Sequence, residues 1–166
     1  MNYAGIKKTD IANGPGVRVS LFVSGCRHHC KGCFNSETWD FTYGKPFTED
    51  VLDEIIKALE PEYIEGFTVL GGEPFEPENR ETVLRVIKTV KEKYPNMNVW
   101  CYSGFLFDVL KDTEVAKDIL SIIDVLVDGR FVEEKKNLRL KFRGSENQRL
   151  IDVQKSLAEG KIVLID

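Results

Sequence analysis

Apolar positions along the chain change period several times. Val17 to Val23 is a β-branched run that reads as a strand, followed by a polar, aromatic-containing connection through Trp39, Phe41 and Tyr43. Thr48 stands where an N-cap is expected, with Glu49 and Asp50 against the positive helix end. Val51, Leu52, Ile55, Ile56 and Leu59 then fall on one helical face that Pro61 ends. Phe67 to Leu70 reads as a second strand, running directly into Gly71-Gly72-Glu73-Pro74. A long helix is predicted from Pro77 to Tyr94, burying Val83, Leu84, Ile87 and Val90 and stopping before Pro95. Val99 to Tyr102 is a third strand ending at Ser103-Gly104, and one or two helices span Phe105 to Ser121. Ile122 to Val127 is a fourth strand ending at Asp128-Gly129, while Leu150 to Val153 and Ile162 to Ile165 read as strands of the tail. Met1 to Gly16 is polar and broken at Gly14-Pro15-Gly16, and no element is assigned to it.

Strands alternating with helices imply parallel βαβ units, in which ligands gather beyond the carboxyl ends of the strands. A complete eight-unit barrel takes ~250 residues. The 166 residues here are therefore expected to form one α/β domain, residues 1–166, built as an incomplete, open (β/α) barrel. A hydrophobic content of 42% and a charged content of 30% fit one globular core. The net charge of -4 supplies no broad basic field, so neither nucleic acid nor a membrane surface is an expected partner. No stretch resembles a membrane span or a signal peptide, and a cytoplasmic protein is expected.

Three of the four cysteines, Cys26, Cys30 and Cys33, form CxxxCxxC directly after the first predicted strand. Three thiolates on one loop can hold three corners of an iron-sulfur cube, a cluster ordinarily gripped by four cysteines. One iron then lacks a protein ligand, and an open coordination position is the mark of a metal centre that binds substrate. A disulfide framework does not fit cysteines confined to one loop of a chain this long. Zinc with His28 or His29 as fourth ligand is the rival, within a zinc-binding interaction module. Otherwise both histidines read as solvated loop side chains. Cys101 lies within the third predicted strand and reads as a small core residue; Phe22 and Trp100 also read as core.

The Gly71-Gly72-Glu73-Pro74 turn adds a second signal. Two glycines at a strand end let backbone approach a ligand without Cβ interference, Pro74 stiffens the turn, and Glu73 supplies a carboxylate. A ligand with a cationic amino group is thereby offered iron on one side and carbonyls or carboxylate on the other.

These two motifs resemble those of the radical S-adenosylmethionine superfamily. Asn13-Gly14-Pro15-Gly16-Val17-Arg18, Cys26 to Asn35, Gly71 to Pro74, Leu126 to Gly129 and Arg143 to Arg149 are similar, in that order, to segments of the activases of anaerobic ribonucleoside-triphosphate reductases. The resemblance spans nearly the whole chain. It implies a 4Fe-4S cluster on Cys26, Cys30 and Cys33 with the fourth iron open to S-adenosylmethionine, whose methionine amine meets the Gly71, Gly72 and Glu73 turn. It implies reductive cleavage to a 5′-deoxyadenosyl radical that takes hydrogen from a glycine of the reductase, its protein substrate. A small flavin or iron-sulfur protein is implied as electron donor. Many such enzymes carry an aromatic residue just before the third cysteine; here Gly32 stands there and the aromatic is Phe34, so the adenine contact is carried by Gly32, Cys33 and Phe34. Related activases often have Asp where this chain has Asn13. Ser103 and Asp128 end strands on the same edge and are placed to reach the ribose or methionine part of the ligand, or to form turns there. No protein acid or base is required. An activase of another glycyl radical enzyme, such as a formate-lyase, shares the cysteine and glycine motifs and differs in the tail.

Overall fold

Alternate residues of a strand point to opposite faces, and in this chain those faces differ in chemistry. In a computed structural model, which describes residues 1–165, the strands are β1 Asn2–Asp10, β2 Val17–Val23, β3 Lys45–Pro46, β4 Ile64–Gly71, β5 Asn98–Ser103, β6 Val125–Asp128 and β7 Arg149–Asp152. The helices are α1 Glu49–Ala58, α2 Pro77–Lys93, α3 Phe107–Leu110, α4 Ala116–Leu120 and α5 Val153–Glu159. The seven strands form one mixed sheet in the order β3-β1-β2-β4-β5-β6-β7. Its centre, β2-β4-β5-β6, is parallel, while β1, β3 and β7 pair antiparallel at the flanks. The fold is therefore α/β, with an open sheet that has two separate edges.

Val19, Leu21, Val23, Phe67, Val69, Val99, Cys101, Leu126 and Ile151 share a core with Leu52, Ile55, Val83, Val86, Ile87, Val90, Ile119 and Leu120 of the helices. Each such side chain fully buried contributes ~1.5–3 kcal/mol. The opposite face carries Arg18, Ser20, Thr68, Trp100, Tyr102 and Val127. There Trp100, Val125, Val127 and Leu150 make a smaller cluster that Tyr102 and Phe142 pack against.

Arg18 is fully buried on this face with no carboxylate paired to it. Its guanidinium donates to Thr68 Oγ1 (2.8 Å), Pro15 O (2.9 Å), and Asn98 O and Oδ1 (3.1 and 2.9 Å). Burial pushes its pKa down to about 10. The opposite residue on β4 is Gly66, where a Cβ would stand 2.3 Å from the guanidinium carbon.

Several expectations change. The first strand of the fold is β1, in the stretch assigned no element; it is defined by its ladders, chiefly to β2, with Ile6 opposite Leu21 and Lys7 opposite Ser20, and at its start to β3. Its residues are mostly half-buried, so the hydrophobic pattern that marks a core strand is absent. Thr48 does occupy the N-cap of α1, but its side chain makes no capping bond. In α2 Val86 is fully buried and Leu84 only partly so. β6 begins at Val125, after Asp124, whose carboxylate accepts from Val99 N (2.8 Å) and Lys91 Nζ (3.0 Å). Ile162 to Ile165 forms no ladder: one bridge joins Leu164 to Ile151, and Leu164 is over half exposed. Phe22 is only partly buried, with the Lys7 ammonium 5.3 Å from its ring centre.

Among the described residues no helix is long and apolar enough to cross a membrane.

Gly66→Ala is expected to cost ~1–3 kcal/mol in urea unfolding, the usual cost of overpacking, because hydrogen bonds hold the guanidinium in place. The same change made in an Arg18→Met background should cost measurably less; equal costs in both backgrounds would refute the assigned clash.

Candidate active site

The parallel register brings the carboxyl ends of four strands level: Val23 pairs with Gly71, and Ser103 with Asp128. The cysteine loop leaves β2 here and is stitched to two neighbours. Gly72 N donates to Val23 O, Glu73 N to Gly25 O and Gly25 N to Thr38 O, each at 2.8 Å, and Cys26 N donates to Trp39 O at 3.1 Å. Gly71 has φ +111°, and a Cβ there would lie 2.6 Å from Val23 N. A Cβ on Gly72 would lie 2.7 Å from Gly25 O. The glycine pair is thus required by neighbouring backbone: Gly71 by the end of β2, Gly72 by Gly25 and Thr38.

Glu73, only 1% exposed, accepts four hydrogen bonds. His28 Nε2 (2.8 Å) and Gly104 N (2.7 Å) reach Oε1; Phe75 N and Ser103 Oγ (both 2.9 Å) reach Oε2. A carboxylate offers about four acceptor positions, and the protein fills them. This carboxylate joins three segments of the fold, and it lines the cavity together with the Gly71-Gly72 backbone. The reading of His28 as a solvated side chain is corrected, because its side chain is 5% exposed and its ring meets Phe105 edge-on at 4.6 Å. His29 is exposed and stacks on Trp39 at 4.4 Å.

Cys26, Cys30 and Cys33 line one open cavity of about 130 Å³, together with His28, Trp39, Gly71, Gly72, Glu73, Ser103 and Gly129. Burial pushes the Cys26 thiol up to about 11, and the Cys30 thiol also upward. Cys101 is fully buried in the core, its thiol pushed up by desolvation, and does not line the cavity. Among the described residues no three His, Cys, Asp or Glu side chains converge as a single metal ion requires. Trp39 Nε1 is buried with no acceptor among the described residues.

A second cavity of about 410 Å³ adjoins the first through Cys33, Asn35, Leu70, Tyr102, Phe131 and Gln148. It lies over the polar face of the sheet, beneath the segment 130–148. Drug-sized ligands occupy ~300–1,000 Å³, so the two spaces together suit a nucleoside-sized molecule where the first alone does not. Phe34 lines this second space with its ring 5.2 Å from Phe131. Gly32 is exposed, at φ +78°, and lines neither.

The tail segment is a scaffold for the cover. Gln148 Oε1 accepts from Gly144 N (2.8 Å) and Ser145 N (3.1 Å), while its Nε2 donates to Gly129 O (3.0 Å). Tyr102 Oη donates to Phe142 O at 2.6 Å. Asp128 does not face the cavities. It is fully buried and accepts from Arg149 Nε (2.9 Å), Arg149 Nη2 (2.6 Å) and Phe107 N (2.8 Å). Ser103 lines the first cavity, but its hydroxyl donates to Glu73 and accepts from Phe105 N (2.9 Å).

Sequence reasoning passed over Glu76 and Asn79. Glu76 accepts from Arg27 N at 2.7 Å, and Asn79 Nδ2 donates to Ser24 O and Glu73 O at 3.0 Å. The signal was present: Asn79 sits on the same face of α2 as Val83, Val86 and Val90, a polar residue on a buried stripe.

Residues 12–151 match the family model described as a 4Fe-4S single cluster domain. The chain is 41% identical over 152 residues to the anaerobic ribonucleoside-triphosphate reductase-activating protein of Enterobacteria phage T4, covering 90% of this chain and 93% of that one. It is 41% identical to the protein of that name from Vibrio cholerae (89% and 96% covered) and 39% identical to the one from Escherichia coli strain K12 (89% and 96%).

Asp128→Ala is expected to cost ~1–3 kcal/mol in chemical denaturation, because it leaves Arg149 with Asp108 as its one carboxylate partner and the first N–H of α3 without an acceptor. A loss below ~1 kcal/mol would show that Asp128 does not carry this joint.

Proposed function

Because the chain belongs to the family of anaerobic ribonucleoside-triphosphate reductase-activating proteins, we propose that it reductively cleaves S-adenosylmethionine at a 4Fe-4S cluster, yielding a 5′-deoxyadenosyl radical that abstracts hydrogen from a glycine of its reductase. One observation carries the assignment to residues: Cys26, Cys30 and Cys33 share a cavity that Cys101 does not reach. Those three thiolates would hold the cluster, and the iron without a cysteine is left for the amino and carboxylate groups of S-adenosylmethionine. The match to a 4Fe-4S single cluster domain supports a cluster of several irons over one zinc ion.

The chain's own work is binding and orientation. The Gly71-Gly72 backbone borders the amine, with Glu73 and Ser103 holding that turn against the cysteine loop. Of the stretch Gly32 to Phe34, Cys33 and Phe34 line the cavities and form the adenine contact, with Gly32 supplying only the turn that leads into them. Asp128 acts from behind, by fixing Arg149 and the start of α3. Confinement near the thiols removes part of the entropic barrier to reaction. An incomplete, open barrel within one domain, 1–166, leaves a side through which a glycine of the protein partner enters. The reductant is a small flavin or iron-sulfur protein, and the cytoplasm is the compartment that keeps such thiols reduced.

Anaerobic reconstitution with iron and sulfide should give a brown protein that releases 5′-deoxyadenosine from S-adenosylmethionine under reduction. With the reductase of the same organism it should produce a glycyl-radical doublet in electron paramagnetic resonance. Cys101→Ala should keep the cluster, while alanine at Cys26, Cys30 or Cys33 should lose it. A colourless protein retaining one zinc, or cluster loss in Cys101→Ala, would overturn the assignment.

A further inference from the structure

Five cations crowd into the nine residues Lys135 to Arg143, namely Lys135, Lys136, Arg139, Lys141 and Arg143, with no acidic residue among them, in a chain whose net charge is -4. Among the described residues none of the five pairs with a carboxylate. Apolar and cationic positions alternate along the stretch. Leu138, Leu140 and Phe142 line the larger cavity, while Arg139 and Lys141 between them are exposed and line neither cavity. The stretch belongs to no strand, so no sheet ladder accounts for the alternation.

Exposed apolar side chains gather at the same opening. Leu138 (84%), Ile11 (75%) and Phe34 (61%) are the three most exposed large apolar residues among those described. Leu138 and Phe34 line the larger cavity, and Ile11 directly precedes Ala12, which also lines it. Lys136 Nζ stands 5.4 Å from the Phe34 ring centre, which brings the cationic stretch against this apolar group. Single exposed apolar residues need no explanation, but a group of them rimmed by charge marks an interaction surface. Protein interfaces are built in this way, with an apolar centre and a polar rim. A nucleic acid would require a broad basic field, which a chain of net charge -4 lacks. A second copy in a two-fold contact would set these same cations against one another. The rim is complementary to carboxylates, and the cavity behind it adjoins that of the three thiols through Cys33.

We propose that this opening is the docking surface for the reductase, with Ile11, Phe34 and Leu138 as its apolar centre and Lys135, Arg139 and Lys141 as a rim that takes an acidic segment of that protein. This rests on the activase reading given above and adds the surface and the chemistry of the contact. Complementary charge raises the rate of encounter and fixes orientation more than it adds raw affinity. An acidic segment held on the rim places the neighbouring chain over the larger cavity, from which the glycine approaches the thiol site. The cations take no part in bond making.

The test measures anaerobic binding of the reconstituted protein to the reductase of the same organism by calorimetry, for wild type and for a variant carrying Lys135→Glu, Arg139→Glu and Lys141→Glu together. These side chains line neither cavity, so release of 5′-deoxyadenosine with a chemical reductant and no reductase should stay at the wild-type level. Affinity for the reductase should fall by about tenfold or more. Leu138→Ser should also weaken binding, with the salt dependence of wild type retained. Unchanged binding in the charge-reversed variant overturns the proposal, as does a variant that alters only self-association of this chain. A second measurement covers failure of the variant to fold: wild-type affinity should drop several-fold between about 50 and about 500 mM salt. A salt-independent affinity overturns the proposal with no variant needed. Wild-type protein that cleaves no S-adenosylmethionine would refute the proposed function and this inference together, whereas normal cleavage and radical transfer with an indifferent rim refute this inference alone.

Discussion

The Glu73 carboxylate receives donors from three separate stretches of chain: His28 in the cysteine loop, Phe75 in its own turn, and Ser103 and Gly104 at the end of β5. Removing an ionised carboxylate from water costs several kcal/mol. Hydrogen bonds to a charged acceptor return about 1.5–3 kcal/mol each, and only the full set offsets that cost. The loop that carries the thiols is therefore coupled to the glycine turn and to a third strand: none of the three can shift without leaving part of a buried charge unsatisfied. Asn79 reinforces the joint from α2, bridging Ser24 O and Glu73 O.

The two faces of the sheet divide the remaining work. One is an ordinary apolar core against the helices and makes the strand ends rigid. The other holds Arg18, Thr68 and Tyr102, and its cover is the irregular segment 130–148. The Asp128–Arg149 pair and the Gln148 bonds anchor that cover at its base. Its middle part carries exposed Leu138, 84% accessible, beside the larger cavity. A stiff joint under the thiols and a cover tied at its ends suit a site that must hold a small molecule firmly and still admit part of a protein.

Much of this was legible in the chain. The central parallel strands, α1, α2 and the level of the cysteine and glycine motifs all follow from local patterns, because buried strands and amphipathic helices need particular periods. β1 was not legible, since a flanking strand draws its stability from a partner ladder more than from its own apolar spacing. The structural joint made by Glu73 is invisible in the sequence for a similar reason. A carboxylate in a glycine turn looks ligand-directed when its four donors, one of them 45 residues earlier and two about 30 residues later, cannot be seen together.

The amino-acid sequence by itself determined the α/β class, the three thiols at one strand end and the family that its ordered motifs resemble, all of which depend on short-range spacing. Tertiary structure alone decided that Gly72 makes room for Gly25 and Thr38, that His28 is buried on Glu73, and that Asp128 belongs to Arg149. Burial and hydrogen-bond satisfaction are set by residues distant in sequence. No local pattern carries them until the strands have aligned.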